Sequence, residues 1–317
     1  MVSTCMPHMP YLSTTTTHAA RATRNRAARR RQVSTVASCA TVVQAALAAV
    51  FIAACPAAQA QSESQELPYG LSGRIGMVAA TTPTYEGSDK RRTLASPTLS
   101  LNYRSREWGT VEFGQRGLVW SPIESNQFRF SLLAQFDPGR KDKESSSIDP
   151  TPGDDRLAGM GRIKSSTEVG IGIGYGPLQL VARQALSDRG AKGAQVDMGA
   201  EVPFSVSDRL NLRFAVGATW ANREYMQTYF GVTPAQASAT SFSVYSPKAG
   251  CRKVEASLGA EYALAPRWKL QGNLAVSQLG DVAAASPLVG KSGKPGQSGD
   301  FGRRVGTSVA VGMAYEF

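Results

Sequence analysis

The sequence predicts an all-β protein, a transmembrane antiparallel up-and-down β-barrel of about twelve strands, with ten as the alternative, behind a cleaved signal peptide. Three observations point there. Apolar residues alternate with period two in runs near ten residues, longer than the strands of most soluble sheets. After residue 60 no window approaches the eighteen or so consecutive apolar residues of a spanning helix. Aromatic residues gather toward the ends of the alternating runs, at Tyr103, Trp108, Trp120, Tyr175, Trp220, Tyr262, Trp268 and Tyr315, as interfacial girdles require.

The first sixty residues are set apart from the fold. Residues 21–31 hold six arginines (Arg21, Arg24, Arg26, Arg29, Arg30 and Arg31), residues 33–54 are mainly apolar and uncharged, and Ala58-Gln59-Ala60 is a small-x-small cleavage signal. Ile52-Ala53-Ala54-Cys55 also resembles a lipoprotein processing box, which would place a lipid on Cys55. The expected organisation is a leader at 1–60, a short periplasmic segment at 61–69 and the barrel at 70–317. More than half of the +11 net charge belongs to this leader, so the basic balance does not imply nucleic acid.

Beyond it, alternation marks strands near 70–81, 94–104, 107–121, 126–137, 163–176, 177–187, 194–204, 209–222, 251–264, 267–278 and 305–317. The last is the plainest: Val305, Thr307, Val309, Val311, Met313, Tyr315 and Phe317 share one face, and small or polar residues with Glu316 share the other. Similar faces come from Phe128 to Phe136, Val169 to Tyr175, Val196 to Phe204, Leu210 to Trp220, Val254 to Leu264 and Trp268 to Val276. None of these apolar faces carries a charge, which at the bilayer midplane would cost about 2–4 kcal/mol for Arg or Lys. The opposite faces carry Arg129, Arg183, Arg213 and Lys269 against Glu168, Asp197, Glu201, Glu255, Glu261 and Glu316, so a lumen filled by ion pairs, or a narrow cation-preferring channel, is expected.

Eleven segments is the wrong parity for such a barrel. Within 107–121 the apolar phase switches from Val111 and Phe113 to Leu118 and Trp120 across Gly114-Gln115-Arg116-Gly117, so the segment either bulges or turns and makes two strands. Connections at 82–93, 138–162, 188–193, 223–250 and 279–304 are long or rich in Gly, Ser and Pro. Those at Gly176-Pro177, 205–208 and Ala265-Pro266-Arg267 are tight. Long loops are expected outside and tight turns in the periplasm.

Inventory excludes much chemistry. His8, His18, Cys5, Cys39 and Cys55 fall in the leader, leaving no histidine and one thiol, Cys251. A disulfide within the chain, a His/Cys zinc site and Ser-His or Cys-His catalysis are therefore not expected. No catalytic residue, metal site or cofactor is predicted, and the Asp154-Asp155 pair reads as a solvated charged loop. Lys90, Arg91, Arg92, Arg140, Lys141, Lys143, Arg252, Lys253, Arg303 and Arg304 lie where strands would meet the outer leaflet, and are candidate contacts for lipopolysaccharide phosphates.

Motifs along the mature chain resemble those of the MipA/OmpV family of outer-membrane proteins. They are Pro83-x-Tyr85-x-Gly87-Ser88-Asp89, Asp155-x-Leu157-x-Gly159-Met160, Tyr229-Phe230-Gly231-Val232 followed by Tyr245 and Gly250, Gly280-Asp281, Ser286-Pro287-Leu288-Val289, and a closing Tyr315-Glu316-Phe317. Leu288 stands where the family pattern has isoleucine. The resemblance implies a non-enzymatic scaffold that holds a lytic transglycosylase and a peptidoglycan synthase at the inner face of the outer membrane. It also implies that Tyr315 and Phe317 present the chain to the barrel-insertion machinery. Tyr85, Gly87, Ser88, Asp89, Asp281, Ser286 and Pro287 are candidate interaction residues, against the plainer reading that Pro, Gly, Ser and Asp simply build turns. A small diffusion channel and a surface adhesin or receptor working through the long loops are the alternatives.

Overall fold

The computed structural model describes residues 69–115, 117–187, 190–289 and 304–317; the leader, the segment 61–68, Cys55 and Arg303 lie outside them. Twelve antiparallel strands follow one another: β1 (Gly70–Pro83), β2 (Arg91–Ser105), β3 (Gly109–Gly114), β4 (Gly117–Glu124), β5 (Phe128–Asp137), β6 (Ser166–Tyr175), β7 (Leu178–Ala185), β8 (Ala194–Ser207), β9 (Leu210–Ala221), β10 (Gly250–Ala265), β11 (Trp268–Leu279) and β12 (Val305–Glu316). Each pairs with its sequence neighbours, and β12 closes on β1 in the register Ile75↔Tyr315, Met77↔Met313, Ala79↔Val311. Closure of β12 on β1 removes the two free edges that an open sheet would expose to hydrocarbon. Phe317 completes the seam, its N–H donating to Gly73 O and its carbonyl accepting from Gly73 N, both at 3.0 Å.

The doubtful segment turns. β3 and β4 form a short hairpin, Gly114↔Gly117, which gives the even count. Gly117 has φ +85, and a Cβ there would lie 2.2 Å from Ala134 O, so only glycine makes this corner. Because β3 and β4 are six and eight residues long beside a fifteen-residue β2, the upper part of β2 loses its partner on that side. The loop after β5 leans on it instead: Ala95 N–H donates to Ser147 O (2.9 Å), and the Arg92 guanidinium reaches the carbonyls of Asp149, Pro150 and Thr151.

Alternation sorts the side chains as expected. Ile75, Met77, Val311 and Met313 are about half exposed, and so are most large apolar side chains of the wall, including Phe136, Ile171, Leu258 and Leu264. Such a belt would be an aggregation hazard in water and is the natural surface in lipid. No helix of the described residues is long and apolar enough to cross a membrane.

Among the described residues, a conventional hydrophobic core is found only at the long-loop end. There α1 (Arg223–Phe230), α2 (Pro234–Ala239) and a short α3 (Asp281–Ala284) fold with the loops 84–90, 138–165 and 280–289 into a cap. Met226, Leu157 and Val232 are fully buried in it. The stretch 223–250, expected as loop, is therefore largely helical at its start. Asn222 caps α1 by accepting from Tyr225 N–H (2.9 Å), and Thr233 with Gln236 forms a capping box ahead of Pro234. Tyr225, Met226, Tyr229 and Phe230 share the spacing of one helical face, a signal too short to stand out in sequence. Cys251 is disulfide-bonded, which corrects the exclusion of a disulfide: that inventory set aside the leader, where the other three cysteines lie outside the described residues.

Candidate functional site: the cap and the lumen beneath it

The cap is assembled from the motifs singled out in the sequence. Asp154 opens the 3-10 turn Asp155–Leu157, its Oδ1 accepting from Arg156 N–H (2.9 Å) and its Oδ2 from the hydroxyls of Thr84 (2.7 Å) and Ser88 (3.3 Å). Its side chain is fully buried, so the reading of Asp154-Asp155 as a solvated pair is corrected for Asp154. Burial opposes its charge, but these hydrogen bonds, with Arg156 and Lys90 nearby, outweigh burial and hold its pKa below the usual range. Arg156 spreads over the first loop, donating to Tyr85 Oη and Ser88 Oγ (2.9 Å each) and pairing with Asp89 (2.8 Å).

Tyr85 Oη in turn donates to Leu288 O (2.8 Å), and burial pushes its pKa up to about 12 despite Arg156, so it stays a donor. Gly87 has φ +93, and a Cβ on it would lie 2.4 Å from Val289 Cγ2; backbone and packing both demand glycine. Ser286 Oγ donates to Phe230 O (2.6 Å), Tyr245 Oη to Val282 O (2.7 Å), and Asp281 pairs with Arg304. Pro287 is half-buried beside them. The candidate interaction residues are thus gathered in the cap, where they bond chiefly to other cap residues: Tyr85, Ser88 and Asp89 to Arg156, Ser286 to Phe230 and Asp281 to Arg304.

The candidate lipid contacts divide. Lys90, Arg91 and Lys143 are exposed at the rim, and Arg91 lies on the outward face of β2. Arg92, Lys141 and Arg304 are held by carbonyls, Asp149 and Asp281 respectively. Three turn inward, contrary to expectation: Arg140 is 5% exposed inside the cap, and Arg252 and Lys253 face the lumen. A β-bulge between Cys251 and Lys253 re-aims Arg252, which strict alternation would have left outside.

Below the cap runs a cavity of about 1850 Å³, lined from turn residues such as Gln127, Pro177 and Arg267 up to Tyr225, Tyr229 and Arg140. A polar chain crosses its upper part. Glu86 hangs from the first loop onto Arg252 (2.9 and 2.5 Å), and Arg252 continues to Gln195 (2.5 Å). Gln195 donates to Glu168 (3.1 Å), which also accepts from Gln135 and Arg183, and Arg183 reaches Asp197 (2.5 Å). Against the cost of burial, the charge and hydrogen bond of Arg252 hold the Glu86 pKa at about 2. Near the turns a second set joins Arg74 to Glu261 (2.8 Å) and Glu316, with Lys269 beside Glu316 (3.7 Å). The inward charges expected from alternation are therefore largely paired; Glu86, Arg74 and Arg156 were missed because loops carry no period and Arg74 sits in a weakly alternating strand. No group of His, Cys, Asp and Glu among the described residues could hold a metal ion.

No curated protein matches the chain. Solved structures similar to it include the translocator domain of the autotransporter NalP from Neisseria meningitidis (12% identity, 80% of this chain and 90% of that one, TM-score 0.35). The NanC porin is similar at 10% identity over 78% and 99% of the two chains, TM-score 0.35. An anion-selective porin from Comamonas acidovorans is similar at 12% identity over 78% and 99%, TM-score 0.33. The model of the MltA-interacting protein MipA matches residues 75–317. The chain is an outer-membrane β-barrel and belongs to the MipA family.

Proposed function

We propose that this barrel is a non-enzymatic anchor that holds peptidoglycan enzymes, a lytic transglycosylase and a synthase, at the periplasmic face of the outer membrane. Family membership supports the partner class. The observation that carries the reading is the packed long-loop end: its motif residues are largely buried and bonded within the cap, and the charge network beneath them crosses the upper lumen. That arrangement disfavours a diffusion channel. With tight turns in the periplasm, docking falls on those turns and on residues 61–69. Lys90, Arg91 and Lys143 would hold the rim to lipopolysaccharide phosphates, and Tyr315 and Phe317 would serve the insertion machinery. A pull-down of periplasmic murein hydrolases on the refolded chain should enrich a lytic transglycosylase. No enrichment, together with steady conductance in planar bilayers, would move the assignment to a channel.

A further inference from the structure

Among the described residues, Arg140 is a buried cation without an acid. Arg156, Arg183 and Arg252 also lie deep, and each has a carboxylate within ion-pairing distance. Arg140 has none among the described residues. Its Nη1 donates to Tyr229 O (2.6 Å), and its guanidinium stands 6.0 Å from the Tyr85 ring centre. Asp137, three residues before it in sequence, is turned to Tyr229 Oη (2.6 Å) and Gly139 N–H (2.7 Å). Burying a guanidinium against carbonyl and ring alone is costly, and proteins normally supply the counter-ion.

A second polar group lines the same ceiling. Tyr225 is 3% exposed, its ring is stacked on Tyr229 at 4.7 Å, and its hydroxyl has no hydrogen-bond partner among the described residues. Arg140 and Tyr225 both line the ceiling of the lumen cavity, whose other end is lined by the tight turns. We propose that this ceiling is a binding site for a singly charged carboxylate on a small molecule entering from the tight-turn end, held by the Arg140 guanidinium and the Tyr225 hydroxyl. Arginine presents the planar fork that a carboxylate accepts. One unpaired cation balances one negative charge, and Asp137 and Glu86 nearby disfavour a dianion such as phosphate. Nothing in this site depends on whether an enzyme docks at the turns.

The test is calorimetric titration of the full chain folded in detergent, with folding checked by heat-dependent gel mobility. The probes are alanylalanine, gluconate and inorganic phosphate. At least one carboxylate should bind; the dipeptide alone would make the ligand a peptide, gluconate alone a sugar acid, and both the carboxylate group itself. Arg140→Gln should weaken binding about tenfold or more, and Tyr225→Phe about fivefold, while Arg209→Gln in an exposed turn changes nothing. Should Arg140→Gln fail to fold, Tyr225→Phe decides, because it keeps the ring. Absence of carboxylate binding, phosphate binding as tightly as the carboxylates, or wild-type affinity in folded Arg140→Gln or Tyr225→Phe would overturn the proposal.

Discussion

The two ends of this barrel are built on different principles. At the long-loop end, four chain segments meet in a dry cap where Asp154, Tyr85 and Ser286 are buried and hydrogen-bonded and Leu157 and Met226 are fully enclosed. At the turn end, connections are a few residues long, and ion pairs such as Arg74 with Glu261 remain about a third exposed. Most of the family motifs lie at the first end, though docking is proposed at the second. The difference teaches that a sequence signature marks where packing tolerates least change, which need not be where partners bind.

The comparison breaks most sharply at Asp154. Asp154→Ala removes an acceptor of three hydrogen bonds and leaves Arg156 and Lys90 without it, a loss of about 3 kcal/mol or more to the cap. Protease should then cut within 138–165 while the heat-dependent gel shift of the barrel persists; loss of the shift would show that cap and wall are one cooperative unit. Gly87→Ala should cost about 1–3 kcal/mol from its positive φ and the Val289 clash. Adding Val289→Ala should recover the clash portion only, read as partial return of protease resistance.

Acid sharpens the same contrast. Asp154 and Glu86 have folded-state pKa values depressed below the unfolded ones, so their contribution is fully present above the ordinary carboxylate pKa and is lost as pH falls through the folded value. Between about pH 4.5 and pH 2 the cap should loosen, measured by hydrogen exchange of the loop amides, before the strand amides respond. At the turn end, Arg74→Gln should cost no more than about 1 kcal/mol and shrink further at high salt, since its partners are solvated. A thermal shift as large as that of Asp154→Ala would refute the division drawn between the ends.

The wall was legible because lipid on one side and polar lumen on the other impose a period of two on every strand, so Val305 to Phe317 or Leu210 to Trp220 announce both strand and face. Even the uncertain 107–121 showed its phase change, and Gly117 supplied the turn. The cap was not legible in that way. Arg140 and Lys143 lie three residues apart in one charged loop, and only the fold decides that the first is buried and the second exposed.

By itself, then, the sequence determined a membrane barrel with its greasy side outward, a polar lumen and the set of charges that fill it. Tertiary structure alone decided that Arg252 swings inward at a bulge, that Glu86 reaches it from a distant loop, and that the motif residues pack together at one end. The physical reason is range: alternation is a local property that each strand carries alone, whereas a loop side chain takes its direction from partners tens to hundreds of residues away.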